Sequence, residues 1–316
     1  MIVRNLRVFL QNVRKNSLIV NVLLKTQTQF DIIFIQESPW SKICKIPSAS
    51  SSKGEDLVGT SHHPNWLLFA RNPTNRSDSP RVITYINICL SPLWFSLCSD
   101  VINHRDILLI LFFNNSVCYY IMNVYSDSSH MALKYLKDIE VNIDNMLVMT
   151  GDFNIRDSLW DSSFPHHSFI SDNLMITADL FNLTLLMPTN SSPTIFSDTA
   201  GEANSVISLM FLQYGSSKLN QYSIHPDSRL SSDHAPLTIT IPIVDVFVNT
   251  SKLSSPPNSE QESAFVEDII SIFKNLETTN ITDKDNLESI VNHVKTSINR
   301  AWTKNAKCSR LLKHSK

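Results

Sequence analysis

The chain of 316 residues lacks a long hydrophobic run. Its longest uninterrupted apolar stretch, from Ile107 to Phe113, is far shorter than the roughly 20 apolar residues of a transmembrane helix. Polar residues near the N-terminus, including Arg4, Asn5 and Arg7, interrupt the apolar core that a secretory signal peptide needs. We therefore expect an intracellular protein, nuclear or cytoplasmic, that is neither secreted nor transmembrane and has no membrane partner.

Cysteine and net charge are also low. The five cysteines are odd in number, scattered and without a C-x-x-C or Cys/His spacing, which argues against disulfides and structural zinc. A formal net charge of −2 argues against a globally basic coat for nucleic acid, although it is compatible with a local basic face. The hydrophobic content of 42% against 18% charged residues predicts a folded protein with a substantial core.

Apolar, β-branched and aromatic runs recur between Leu6 and Ile243, as expected of buried or half-buried strands. They are more numerous than one sheet comfortably holds, so we predict an α/β (α+β) fold of two packed sheets flanked by helices. Apolar residues at helical spacing predict the helices between the strands. These stripes are Leu18, Val22 and Leu23; Leu133, Leu136 and Ile139; and Leu174, Ala178 and Phe181.

The C-terminal part differs in composition from the rest. We predict a main domain at 1–245, a Ser/Pro-containing linker at 246–262 and a helical connector at 263–316. Helical spacing predicts an apolar stripe at Phe265, Ile269, Ile272, Phe273 and Leu276, and Thr282 with Asp285 predicts a capping box for the next helix. The basic end of the connector is either a solvated helix face or a contact for nucleic acid or a partner.

The string Gly151-Asp152-Phe153-Asn154 follows a run that reads as a buried strand, Met146–Thr150. Gly151 is expected to let the chain bend as it leaves the sheet. Asp152 and Asn154 then project from the strand end, where α/β folds place their ligands. A carboxylate beside a neutral amide suits metal-assisted phosphoryl chemistry, although an Asx turn would explain the same string.

Glu37 and the pair Asp233-His234 also adjoin predicted strands. Mg²⁺ prefers hard oxygen ligands and keeps several waters, so one or two carboxylates suffice to hold it. An imidazole next to a carboxylate adds a group that titrates near neutrality. Taken singly, the glutamate could be plain surface and the Asp-His pair could be structural.

Further polar residues stand at strand ends, namely Asn12, Asn123, Tyr125 and Thr194. Asparagine at such a position often bonds to backbone groups. Tyr125 could donate a hydrogen bond to a phosphate oxygen or could be a half-buried aromatic residue.

The order of these residues, Asn, Glu, Tyr, Asp-x-Asn and Asp-His, resembles the endonuclease/exonuclease/phosphatase superfamily, and the resemblance covers roughly residues 4–243. The strings Leu10-Gln-Asn-Val-Arg-Lys15 and Arg81-Val-Ile-Thr-Tyr-Ile86 are similar to the endonuclease region of non-LTR retrotransposons, particularly fungal ones. The ending Leu312–Lys316 resembles the connector that precedes a reverse transcriptase in such polyproteins. A reverse transcriptase module outside this chain is therefore an expected partner, with the chain either a fragment or a decayed element.

The resemblance implies a four-layer sandwich of two mixed β-sheets, with a C-terminal helical extension in this chain. It implies Mg²⁺ or Mn²⁺ held mainly by Glu37, with help from Asp233 and Asn12. The reaction it implies is hydrolysis of a DNA phosphodiester that leaves a 3′-hydroxyl. It further implies that Asp152 positions or deprotonates the attacking water, that Asn154 orients this water, and that His234 contacts the scissile phosphate. Tyr125, Thr194 and Asn123 would hold phosphate oxygens.

One position departs from the family pattern. Ser208 stands where the family has an aspartate that pairs with the motif histidine, and a hydroxyl carries no charge to support an imidazolium. Asp198 or Asp227 could replace that acid. The resemblance thus leaves three hypotheses: a weakened DNA endonuclease, a catalytically dead relic that binds nucleic acid or a partner, and a phosphatase acting on a small or lipid substrate.

Overall fold

The computed structural model describes most of the chain. The described residues are 2–40, 44–46, 57–59, 61–73, 78–90, 94–114, 117–139, 143–190, 192–197, 203–214, 222–245, 253–254, 259–276, 284–305 and 307–308. Among them, no helix is both long enough and apolar enough to cross a bilayer. The chain divides into two compact units, Met1–Val246 and Phe247–Lys316.

The first unit contains two six-stranded sheets. The strands of the first sheet are β1 (Ile2–Asn12), β2 (Ile32–Gln36), β5 (Trp66–Phe69), β6 (Val82–Asn87), β13 (Ser223–Ile224) and β14 (Leu237–Asp245). Their order is β13-β14-β1-β2-β6-β5, and β1 and β2 are parallel while their neighbours are antiparallel. The carboxyl ends of β1 and β2 therefore lie side by side, with Asn12 paired to Gln36.

The second sheet has the same arrangement around one parallel pair. Its strands are β7 (Trp94–Leu97), β8 (Ile107–Asn114), β9 (Val117–Tyr125), β10 (Met146–Asp152), β11 (Leu183–Leu185) and β12 (Ser208–Gln213). Their order is β11-β12-β10-β9-β8-β7, with β9 and β10 parallel and Tyr125 paired to Asp152. The last residues of β9 and β10 thus share one end of the sheet.

Three apolar layers hold the sheets and helices together. Side chains of both sheets, such as Leu10 and Ile121, form the central layer. Helix α1 (Ser17–Thr26) packs on the outer face of the first sheet, and α2 (Met131–Asp138) and α3 (Phe169–Leu180) pack on that of the second. This four-layer architecture confirms the predicted fold class.

The apolar face predicted for α1 is wrong. Leu18 and Val22 are 72% and 40% exposed, so of the predicted stripe only Leu23 is buried, together with Ile19, Val20 and Leu24. Because the segment from Leu18 to Leu24 is apolar except at Asn21, more than one helical face fits its pattern. The stripe predicted for α3 is correct, since Leu174, Ala178 and Phe181 are all buried.

The second unit contains α4 (Glu260–Leu276) and α5 (Lys284–Asn305). The rings of Phe265 and Trp302 meet edge to face with their centroids 5.2 Å apart. Phe273, predicted to lie in the apolar stripe of α4, is 49% exposed. Most of the predicted linker, and Thr282 of the predicted capping box, lie outside the described residues. Short paired strands β3 (Cys44–Ile46), β4 (Leu57–Gly59), β15 (Leu253–Ser254) and β16 (Lys307–Cys308) were not predicted.

Gly151 has a different role from the predicted one. It lies inside β10 rather than at a bend, and it pairs with Val124 of β9. A Cβ placed on Gly151 would lie 1.8 Å from the carbonyl oxygen of Val124, so no side chain fits at this position. The absence of a side chain allows β9 and β10 to run close together next to Tyr125 and Asp152.

We expect Gly151→Ala to lower the free energy of unfolding by about 3 kcal/mol or more, because the added methyl group would collide with backbone rather than with a flexible side chain. Urea unfolding followed by circular dichroism measures the change. The control is Asn21→Ala on the exposed side of α1, which should change stability by no more than about 0.5 kcal/mol. An alanine variant as stable as the wild type would contradict this account of Gly151.

Candidate active site

The ends of both sheets bring polar side chains together. Tyr125, Asp152 and Ser208 form a row across three neighbouring strands of the second sheet, because Asp152 pairs with both of the others. Paired residues on adjacent strands place their side chains on the same face. Asn12 ends β1 of the first sheet, and Glu37 directly follows β2. Residues remote in sequence thus meet at one end of the sandwich.

The amide of Asn12 joins the two sheets at this end. Its Nδ2 donates to Oε1 of Glu37 at 2.9 Å and to Oδ2 of Asp152 at 2.7 Å. Asn12 is 1% exposed, so these bonds are made away from bulk water. A neutral donor placed between two carboxylates holds them at a fixed separation without adding charge.

The donor atoms next to Asn12 suit a divalent metal. Glu37, Asp152 and His234 each offer one ligand atom, and these atoms all lie within 4.8 Å of one another, the only such group among the described residues. Two buried polar atoms beside them, Oδ1 of Asp233 and Nδ1 of His234, have no hydrogen-bond partner. Carboxylate oxygens that converge on a partly polar, water-poor site fit Mg²⁺ or Mn²⁺.

Asp152 is the most buried acid of the site, at 0% exposure. Burial raises the pKa of its carboxyl group and the nearby charge of Glu37 adds to this, while His234, the amide of Asn12 and the N–H of Asn154 act in the opposite direction. The N–H of Asn154 donates to Oδ1 of Asp152 at 3.1 Å, which is the Asx turn that the sequence allows. The structural and the chemical interpretations of this motif are therefore compatible.

The side chain of Asn154 is partly engaged elsewhere. Its Nδ2 donates to the carbonyl oxygen of Ser126 at 2.7 Å, and the N–H of Ser126 donates to the carbonyl oxygen of Asp152 at 2.7 Å. The segment that follows β9 is thereby tied to the end of β10. The predicted role of Asn154 in orienting water stays a prediction.

The backbone around the site contains several non-glycine residues in the left-handed region. These are Arg14, Lys15, Glu37 and Asn154, with φ angles of 46°, 58°, 46° and 52°. Such a conformation costs free energy for an L-residue and persists only where surrounding contacts enforce it. Here the N–H of Lys15 donates to the carbonyl oxygen of Glu37 at 2.7 Å, which links two of the strained segments.

Asp233 lies beside this cluster but outside its metal-ligand group. Its Oδ2 accepts a hydrogen bond from Nη1 of Arg14 at 2.8 Å, and its Oδ1 is 3.7 Å from Nε2 of His234. Oδ1 has no hydrogen-bond partner and could be offered to a metal while Oδ2 keeps Arg14, and the predicted role of Asp233 as a ligand stays a prediction. Arg14 was not among the predicted site residues, although its position two residues after Asn12 is a usable signal.

His234 lies between two acids. Its Nδ1 is 3.6 Å from Oδ2 of Asp152, too long for a hydrogen bond, and its ring is buried. Ser208, predicted to occupy the place of its acidic partner, is also buried, and its N–H donates to Oγ1 of Thr194 at 3.0 Å. Asp227 is exposed in the short 3-10 helix Pro226–Ser228, and Asp198 lies outside the described residues.

The amide of Asn123 joins the two sheets. Its Nδ2 donates to the carbonyl oxygens of Ile35 at 3.2 Å and Ile83 at 2.9 Å, while its Oδ1 accepts from Nε2 of Gln36 at 2.6 Å. Asn123 is 0% exposed and is fully used in joining β9 to the first sheet. These hydrogen bonds show that a strand-end amide can join two sheets, and the predicted contact of Asn123 with phosphate stays a prediction.

Thr194 and Tyr125, the other two residues predicted to hold phosphate oxygens, lie in different surroundings. Oγ1 of Thr194 is buried and accepts the N–H groups of Ile207 at 2.8 Å and Ser208 at 3.0 Å, so it shapes the start of β12 rather than facing a phosphate. Tyr125 is 8% exposed. Burial, with the nearby charges of Glu37 and Asp152, raises the pKa of its phenol, which therefore stays protonated at neutral pH and able to donate.

The burial of Asp152 generates a prediction about stability and pH. Because folding raises its pKa, the folded protein holds that proton more tightly than the unfolded chain does. The ionised carboxylate then destabilises the fold at neutral pH, and this cost fades as the pH falls to about 4, the ordinary pKa of aspartate. In metal-free buffer at pH 7.5 we expect Asp152→Asn to raise Tm by about 2–4 °C.

Differential scanning fluorimetry between pH 4 and 8 tests this expectation. The difference between the variant and the wild type should shrink as the pH is lowered. Asp227→Asn, at an exposed aspartate, is the matched control and should leave Tm unchanged across this range. Mg²⁺ should raise Tm of the wild type and not of Glu37→Ala, which lacks the expected main metal ligand. A variant that is less stable than the wild type at pH 7.5 would contradict the assigned cost.

Comparisons with known proteins agree with the fold. Residues 119–238 match a family model described as endonuclease-reverse transcriptase, a range that includes Tyr125, Asp152 and His234. The endonuclease domain of TRAS1, a telomere-specific non-LTR retrotransposon, aligns with a TM-score of 0.53 and 16% identity over 75% of this chain and 98% of that one. No curated protein matches the chain.

Two further solved structures are similar at a lower level. They are D. rerio TDP2 complexed with single-strand DNA product, with 12% identity over 75% of this chain and 98% of that one, and beta toxin from Staphylococcus aureus with bound magnesium ions, with 9% identity over 75% and 99%. Both TM-scores are 0.43, so these two likenesses carry no functional argument. The partial match to the family model and the fold shared with the TRAS1 domain agree with the resemblance that the motifs predict: residues 119–238 match the endonuclease-reverse transcriptase model, and the chain has the fold of a retrotransposon endonuclease domain.

Proposed function

We propose that the protein is a metal-dependent phosphodiesterase that nicks one strand of DNA and leaves a 3′-hydroxyl. The observation that carries this proposal is the meeting of Asn12, Glu37, Asp152 and His234 in one buried cluster at the end of the two sheets. Carboxylates, an amide and an imidazole at this spacing can hold a cation, orient a water and contact a phosphate.

Asp152 is the group that positions or deprotonates the attacking water. Oδ1 and Oδ2 each accept one hydrogen bond, from the N–H of Asn154 and from Asn12, so the carboxylate is held in one orientation. Its raised pKa makes it a better proton acceptor than an ordinary surface aspartate. Asn154 is the proposed partner for the same water, through the amide oxygen that its bond to Ser126 leaves available.

Glu37 is the proposed main metal ligand, with Asp233 and Asn12 as helpers. Mg²⁺ or Mn²⁺ bound there would neutralise the charge that builds on the phosphate oxygens. His234 and the protonated phenol of Tyr125 are proposed to contact those oxygens from the protein side. Tyr125 ends β9 of the second sheet and His234 precedes β14 of the first sheet, so their separation depends on how the two sheets pack.

DNA is the proposed substrate. Two observations support it: the description of the matched family model and the fold shared with a retrotransposon endonuclease domain. The 3′-hydroxyl left by the nick would serve to prime reverse transcription by a reverse transcriptase module outside this chain. The second candidate, a relic that binds nucleic acid without cutting it, is favoured by the buried Nδ1 of His234 that has no hydrogen-bond partner.

The proposal predicts slow conversion of supercoiled plasmid to the nicked form in Mg²⁺ or Mn²⁺. Glu37→Ala and Asp152→Ala should each lower the rate on the order of 10²- to 10⁴-fold, because each removes a group that acts on the metal or the water. Agarose gels of the time course give the rate, and direct extension by a DNA polymerase reports a free 3′-hydroxyl. The exposed His62→Ala variant is the control for purification and handling.

Nicking that survives undiminished in Glu37→Ala would point to a contaminating nuclease and remove the proposal. If a polymerase extends the nicked ends only after phosphatase treatment, cleavage has left a 3′-phosphate instead of a 3′-hydroxyl, which would contradict the proposal. If both the wild type and Ser208→Asp bind plasmid without nicking it, the result would favour a relic that binds nucleic acid without cutting it.

Ser208→Asp should raise the nicking rate by about 10-fold or more, because a charged group would support the imidazolium of His234. Loss of an analogous orienting acid costs up to about 10⁴ in hydrolases, which sets the upper limit of the gain. Ser208→Asn is the matched control, equal in size but uncharged, and should give no gain. Equal rates for the wild type and both variants would mean that position 208 does not limit His234.

A further inference from the structure

Arg81 is held on two sides by acids at the end of the sandwich. Its Nε and Nη2 donate to the two carboxylate oxygens of Asp106, and Nη2 also donates to Oδ2 of Asp127 at 2.9 Å. The side chain of Asp106 is 1% exposed and that of Arg81 19%. A forked pair of this kind fixes the plane of the guanidinium as well as its position.

The fixed guanidinium lies against the ring of Tyr125. Its Cζ is 4.8 Å from the centroid of that ring, within the range of a cation–π contact. Such contacts favour one ring orientation, since the cation is attracted to the face of the ring and not to its edge. The guanidinium thus limits how the phenol can tilt.

The backbone near Arg81 ties the same residues together. The N–H of Tyr125 donates to the carbonyl oxygen of Asp106 at 2.9 Å, so Asp106 holds Arg81 by its side chain and Tyr125 by its backbone. The N–H of Ser38, which follows Glu37, donates to the carbonyl oxygen of Arg81 at 3.0 Å. Arg81 therefore connects the end of β9 to the segment that carries the proposed metal ligand.

We infer that Arg81 is a positioning residue that acts through Tyr125, and that it aims the phenol at the substrate phosphate. This inference rests on the proposed phosphodiesterase function. Arg81 is not itself a phosphate ligand, because Asp106 and Asp127 occupy its forked edge and balance its charge. Lysine cannot replace it, since an ammonium group offers neither the fork nor the planar face.

A double-mutant cycle tests the inference on plasmid nicking. Arg81→Lys should lower kcat by about 10- to 100-fold with little change in KM, because a misplaced contact group weakens the transition state more than binding. In a Tyr125→Phe background, where the hydroxyl is gone, the same substitution should cost less than about threefold. Additive losses would overturn the inference and indicate a general structural role.

The matched control is Arg71→Lys. Arg71 is a buried arginine that is bonded to Asn103 and paired with Asp78, whereas the cation–π contact with Tyr125 is made by Arg81. Its substitution should change stability without the Tyr125-dependent loss of kcat. If Arg71→Lys lowers kcat as much as Arg81→Lys does, and equally in both Tyr125 backgrounds, Arg81 has no special role.

A second readout does not depend on turnover. In protein labelled with 3-fluorotyrosine, the ¹⁹F resonance of Tyr125 is identified by its loss in Tyr125→Phe. Arg81→Lys should shift or broaden this resonance, while the remaining tyrosine resonances stay in place. An unchanged Tyr125 resonance would overturn the inference even in a protein that does not nick DNA, whereas a wild type that neither nicks nor binds DNA would end the proposed function alone.

Discussion

The paired hydrogen bonds of Asn12 to Glu37 and Asp152 are the contact on which the rest of the site depends. They cross from one sheet to the other, so they exist only if the ends of β1, β2 and β10 lie at the same level. Gln36 and Asn123 form a second buried amide contact between the two sheets. Two buried polar joints, with the apolar layer between the sheets, set the spacing of the residues that could hold a cation.

The strands and the motifs at their ends could be predicted from the sequence because buried strands are long, apolar and β-branched. The face of α1 could not, since a nearly continuous apolar run fits several helical orientations. The role of Asn123 could not either, because an amide at a strand end looks the same whether it binds phosphate or a neighbouring sheet. The contacts of Arg81 join residues 25 and 46 positions away, and no local pattern reveals such pairs.

The site places function and stability in opposition. Asp152 is buried near Glu37, and burial raises its pKa, so the ionised form that the proposed chemistry requires destabilises the metal-free fold. Ser208 adds no charge next to this pair. A serine at that position avoids a further buried acid, but it leaves the imidazole of His234 without a hydrogen-bonded carboxylate among the described residues.

Arg14, Lys15, Glu37 and Asn154 all keep a left-handed backbone without being glycine. Each would relax if its surroundings loosened, so these strained conformations persist only while the contacts around them hold. Exchanging one of these residues for glycine would relieve the local strain, but it would also let the backbone leave this conformation more easily.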